Sequence, residues 1–187
     1  MDNADIKERA AGFEESVRKN LVDYLQGKGV IDAHVPECPD VEEKWAEIAR
    51  SYIADGAREF AGYPVVSLGW MMFLGMAMAY YWDTDWEKHH DRKDIYEELR
   101  DRRGYDNMDE VIIGDVLRYE GDDAEKVSDL VASCAARVHS LMQHSHVEPG
   151  TSEAYGYYIA ALHQLYLAGM AVELNALGYH MTPLQTN

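Results

Sequence analysis

The chain has 187 residues, 47% apolar and 11% aromatic, with 34 acidic against 17 basic side chains and a formal charge of -17. That apolar content supports a packed core and excludes a disordered chain despite the charge. The charge excludes a basic nucleic-acid face and disfavours anionic lipid surfaces, so neither nucleic acid nor membrane is an expected partner.

Residues 4–26 predict a first helix, with Ile6, Phe13, Val17, Leu21 and Tyr24 at helical spacing and Gly27 and Gly29 past its end. A second is expected from the capping-box pattern Asp40-x-x-Glu43, just after Pro39. Its stripe is Trp45, Ile48, Ala49, Tyr52, Gly56 and Phe60, and Pro64 is its expected stop. Residues 65–82, VVSLGWMMFLGMAMAYYW, carry no charge at all. Their length sits at the lower limit of a membrane span. A Met-rich pocket for an apolar ligand is another functional reading. The preferred expectation is a central bundle helix, apolar all round because neighbours surround it. The comparably apolar segment 152–177 contains His163, Gln164, Glu173 and Asn175, and no basic cluster marks a membrane boundary.

A short helix is expected over about 92–103, and another after Asn107-x-x-Glu110, ended by Gly121. Residues 123–145 give an amphipathic stripe of Val127, Leu130, Val131, Cys134, Val138, Leu141 and Met142. Pro149-Gly150 breaks the chain, Thr151 or Ser152 caps a helix over 152–177, and Gly178 ends it. Alternating strand patterns are absent. The expected architecture is all-α: a single-domain bundle over residues 1–187, with about five long and two short helices and 65–82 and 152–177 central.

Four polar residues fall on apolar stripes: Glu59, Asp115, His163 and Glu173. A buried carboxylate is costly unless it is paired or its pKa moves, so these are the weak candidates for acid–base or ligand roles. Satisfied contacts to tyrosine hydroxyls or arginines are the favoured reading, because most inward polar groups are structural. His163 and Glu173 lie ten residues apart, about 15 Å along a helix, so they cannot share an ion unaided.

The segment WDTDWEKHHD places Asp83, Glu87 and His90 at i, i+4 and i+7, which makes them the metal-ligand candidates. Asp85 and His89 form a second i, i+4 pair. Glu87-x-x-His90 has the spacing found in di-iron carboxylate bundles, but no second Glu-x-x-His follows. His90-Asp91 is the dipeptide of metal-dependent HD phosphohydrolases, without the apolar residues usual before it, and neither family is assigned. The favoured alternative is a helix start capped by Thr84-x-x-Glu87. His139, His144 and His146 lack the i, i+4 spacing of a helical metal site and read as a solvated helix terminus.

Cys38 and Cys134 make no disulfide framework, and residues 1–15 lack the apolar run of a signal peptide, so a cytoplasmic location is expected. Cys134 reads as a small buried residue, whereas Cys38 precedes a helix start, which would lower its pKa. Charge is segregated: only Asp129, Arg137, Glu148, Glu153 and Glu173 are charged from residue 127 onward. A neutral surface on the last two helices would suit a homodimer, and the acidic remainder a basic protein partner. Protein–protein interaction or self-association without a cofactor is therefore the leading functional expectation. The alternative is a metal-dependent (hydrolase- or oxidase-like) or small-ligand-binding bundle, with a divalent metal held by inward carboxylates and histidines.

Overall fold

An uncharged 18-residue segment must be covered on every side, and the rest of the chain supplies the cover. The computed structural model describes residues 2–180, whose regular elements are all helical with no strand among them. The long helices are α1 (Asn3–Gly27), α3 (Trp45–Phe60), α4 (Pro64–His89), α7 (Gly121–His144) and α8 (Ser152–Ala176). Shorter pieces are α2 (Pro39–Glu43), α5 (Ile95–Arg103), a 3-10 turn (Tyr105–Asn107), α6 (Met108–Glu110) and a π-helical segment (Val111–Val116). The expected all-α bundle is what forms, with α4 and α8 at its centre. One apolar core runs continuously from Phe13 of α1 to Leu174 of α8.

α4 is long and apolar enough to cross a membrane, yet 72% of its most apolar window is buried inside the chain. Met71, Met72, Met76 and Met78 are all fully buried. The core-helix expectation holds because α8 lies directly on α4, with α3 and α7 beside it. α4 and α8 run in the same direction: Tyr158 bonds to Ser67 near their beginnings at 2.7 Å, and Tyr179 bonds to Asp83 near their ends at 2.6 Å. Between these contacts the two backbones touch. A Cβ at Gly75 would collide with the carbonyl oxygen of Tyr166, and one at Gly169 with that of Met72. Only glycine permits that approach.

A buried hydroxyl chain fixes α3 against this pair. Tyr52 donates to the carbonyl of Ser67 at 2.5 Å, Ser67 donates to the carbonyl of Gly56 at 2.7 Å, and Tyr105 meets Tyr52 at 2.8 Å. Each hydroxyl of this network, Tyr52, Ser67, Tyr105 and Tyr158, thus finds a partner, as burial requires. Tyr96 donates to Asp55 at 2.5 Å, and Arg100 bonds to the same carboxylate at 3.0 Å, anchoring α5 on α3.

Several expected boundaries move. Pro64 opens α4 instead of closing α3, because proline suits a first turn whose N–H has no partner. The helix expected after Asp40-x-x-Glu43 divides into α2 and α3 at Lys44, and its N-cap is Cys38, with no side-chain capping bond. Asn107 likewise makes no side-chain cap, and Gly121 begins α7 with a φ of 57° where it was expected to end a helix. Thr84 donates to the carbonyl of Tyr80, so α4 continues through the expected helix start and breaks only at Asp85, where φ is -160° and ψ 65°.

Thr151 does cap α8, accepting from the amide of Ala154 at 3.1 Å. Thr151→Ala is expected to cost about 1 kcal/mol. In a chain of this size that lowers the melting temperature by roughly 2–4 °C, measurable by thermal circular dichroism.

Candidate functional site

Each residue singled out in the sequence has a distinct place. Glu59 is half-buried near the end of α3, and its charge helps raise the pKa of Tyr105, behind the larger effect of burial. Asp115 is exposed and lies 3.6 Å from Arg103, which corrects its expected inward position. The reason is the π-helical winding of Val111–Val116: Leu117 bonds back to Ile112 at 2.8 Å, a five-residue step. A stripe counted at four-residue steps lands on the wrong side of such a turn.

His163 pairs with Glu14 of α1 through Nδ1 at 2.5 Å and packs against Trp45 with the two rings tilted, centroids 4.8 Å apart. Gln164 donates to the same Glu14 oxygen at 2.9 Å. Burial, helped by the charge of Glu37, raises the pKa of neighbouring Glu42, and His163 opposes the rise. His163 therefore belongs to a polar clamp between α1 and α8.

Asp83 and Glu87 are exposed, and Asp83 accepts the hydroxyl of Tyr179. His90 is also exposed, and its side chain meets the carbonyls of Trp86 and Glu87 and the carboxylate of Asp91. No three His, Cys, Asp or Glu side chains converge in metal-holding geometry among the described residues. The break at Asp85 separates Asp83 from Glu87 and His90 in helical register. The cysteines are both buried: burial raises the pKa of Cys134 to about 12 and that of Cys38 above its ordinary value, which overturns the expected lowering at Cys38.

Glu173 is the one predicted residue with a strongly altered chemistry. It is 2% exposed, and the hydroxyl of Tyr119 donates to it at 3.1 Å. Burial raises its pKa from 4.5 to about 7; the Tyr119 bond opposes the rise and the charge of Asp83 adds to it. Tyr119 is itself raised, by burial first and then by the charge of Glu173.

Tyr119 also lies on the wall of a cleft of about 560 Å³ between the end of α1, the first half of α7 and the end of α8. Val30, Met76, Val127, Leu130 and Val172 give it an apolar lining, and Lys28 and Lys126 stand among its wall residues. Neither lysine has an ion-pair partner among the described residues, although Asp129 shares the wall. Asn175, also on the wall, has a buried Oδ1 with no hydrogen-bond partner. A buried acceptor left open costs about 1–3 kcal/mol. Glu173 does not line the cleft; it stands behind Tyr119. Periodicity flags Glu173 and Tyr119 as neighbours of apolar stripes, but the lysines and Asn175 are ordinary surface residue types with no motif.

The low charge from residue 127 onward has its explanation inside the chain. Most of α8 is buried against α1 and α4, so its apolar residues form core, and among the described residues the large apolar side chains that stand exposed are Tyr63, Tyr155 and Tyr179. Comparison with known proteins finds no matching family model, no matching curated protein and no matching solved structure.

Proposed function

We propose that the chain is a small-molecule-binding helical bundle whose site is the cleft walled by Tyr119, Lys28, Lys126 and Asn175. The carrying observation is the combination of an apolar lining with Lys28 and Lys126, two lysines that make no ion pair among the described residues. A volume of about 560 Å³ falls in the range of ligand pockets, which are mostly apolar with a few placed polar groups. The fitting ligand is amphipathic: an apolar body against Met76 and Val172, and an anionic group for the two lysines. The chain's own residues then bind and orient. No reaction is assigned.

The dye 1-anilinonaphthalene-8-sulfonate has that chemistry, with an apolar body, one N–H and one sulfonate. The native chain is expected to enhance its fluorescence saturably. Ser133→Trp fills the cleft from α7 and is expected to abolish the enhancement, whereas Ala132→Trp, on the exposed side of the same helix, retains it. Replacing Lys28 and Lys126 with glutamine is expected to weaken binding about two- to fivefold, the range of one exposed charge pair. Absence of enhancement, or full enhancement in Ser133→Trp, removes the proposal.

Self-association and a basic partner remain as the competing reading, now supported only by exposed Tyr63 and Tyr155 and the acidic exterior. Sedimentation velocity separates the two, since ligand binding needs no second chain and a concentration-independent monomer defeats self-association.

A further inference from the structure

A second cavity, of about 340 Å³, lies between the end of α4, α5 and the residues that leave the π-helical segment. It shares no wall residue with the amphipathic cleft. Four basic side chains line it, Lys88, Arg92, Arg102 and Arg118, against two carboxylates, Glu98 and Asp115. In a chain of charge -17 this is a local reversal of sign. The carboxylates are already engaged. Glu98 takes Arg102 at 2.5 Å and Arg92 at 3.8 Å, and Asp115 takes Arg103. Lys88 and Arg118 have no hydrogen-bond or ion-pair partner among the described side chains.

Two further features shape the wall of this cavity. Arg118 is held at φ 60°, a left-handed conformation that costs a side chain about 1–2 kcal/mol and that glycine adopts freely. Arg118 follows Leu117, the C-cap of the π-helical segment, and the Tyr119 amide closes over it onto the Ile113 carbonyl at 3.0 Å, so this left-handed residue ends the helix. His89, 7% exposed, lies on the same wall with its ring stacked on Tyr81, centroids 3.9 Å apart. Its Nδ1 bonds to the carbonyl of Asp85 at 2.8 Å. A carbonyl only accepts, so Nδ1 carries the hydrogen and Nε2 of the neutral ring is an acceptor, able to bond only a hydrogen-bearing ligand atom such as a P–OH.

We infer that this cavity binds a phosphate group, with Arg118 and Lys88 as its uncompensated cations and the buried His89–Tyr81 stack as its floor. Guanidinium forks match phosphate oxygens in pairs, which favours a phosphate over a simple halide. The acidic exterior repels extended polyanions, so the fitting ligand is one small phosphate or phosphomonoester and not a nucleic acid.

Isothermal titration calorimetry with inorganic phosphate and with phenyl phosphate, against sodium chloride at matched ionic strength, tests this. Saturable binding is expected for phosphate and not for chloride; tighter binding of phenyl phosphate identifies a phosphomonoester, and equal binding free phosphate. Arg118→Gly removes the charge and relieves the backbone, so it is expected to weaken binding at least about tenfold while melting at or above the native temperature. Arg118→Asn, which also tolerates a positive φ, provides a second folded variant. No saturable phosphate binding, or undiminished binding in both variants, overturns the inference.

Discussion

One methyl group added at Gly75 or at Gly169 is expected to lower the melting temperature by roughly 10 °C. The new Cβ would meet backbone, the carbonyl of Tyr166 in one case and that of Met72 in the other, so no side chain can swing aside. Relief requires α4 and α8 to separate along the contact that organises the core. Overpacking of that kind costs about 3 kcal/mol or more. Gly12 is the control: it lies on exposed α1, where a Cβ meets nothing within 4 Å. There the same substitution should stabilise by about 0.5–1 kcal/mol through helix propensity. Thermal circular dichroism of the three variants gives opposite signs if the two helices touch. A Gly75→Ala variant melting within about 2 °C of the native chain would remove the close contact.

Glu173→Gln is expected to stabilise the chain at pH 8 and to change it little at pH 5. Glu173 has an ordinary pKa of 4.5 and a folded value of about 7, raised chiefly by burial. The folded chain therefore holds this proton more tightly than the unfolded chain. Below about 4.5 both states are protonated and no penalty exists; from there stability falls as pH rises, levelling off above 7. The full penalty for the ionised side chain is about 3 kcal/mol. Glutamine keeps an oxygen for the Tyr119 hydroxyl and never ionises, so its gain at pH 8 approaches that figure, roughly 6–12 °C. Melting temperatures of the two chains measured from pH 5 to 8 should diverge steadily. Parallel curves would mean that Glu173 titrates normally in the folded chain.

The reach of sequence reading follows the kind of signal involved. α4 and α8 were legible because helices apolar all round belong at the centre of a bundle, and Glu173 because a carboxylate within such a helix must alter its pKa or find a partner. Asp115 was misplaced by the π-helical turn, whose winding leaves no mark in the order of Val111, Ile112 and Ile113. Prolines and glycines at helix ends were recognised as punctuation, but Pro64 and Gly121 punctuate starts. Attention fell on His90 while its neighbour His89 is the buried one, since the break at Asp85 resets the register before both. The lysines of the amphipathic cleft and the basic residues of the phosphate cavity come from separate elements. Only tertiary packing assembles them.

The contacts of Gly75 with Tyr166 and of Gly169 with Met72 join segments more than ninety positions apart, and this has a consequence for how the protein is made. α4 leaves the ribosome long before α8, its principal cover, has been synthesised. Elongation at about 5–20 residues per second leaves that apolar helix without its partner for roughly 4–17 seconds. During that interval α4 presents a nascent chain with the length and hydropathy of a membrane segment. Biogenesis thus depends on keeping α4 from aggregation or misdirected insertion until the last helix arrives, and slow codons between residues 90 and 150 would prolong its exposure.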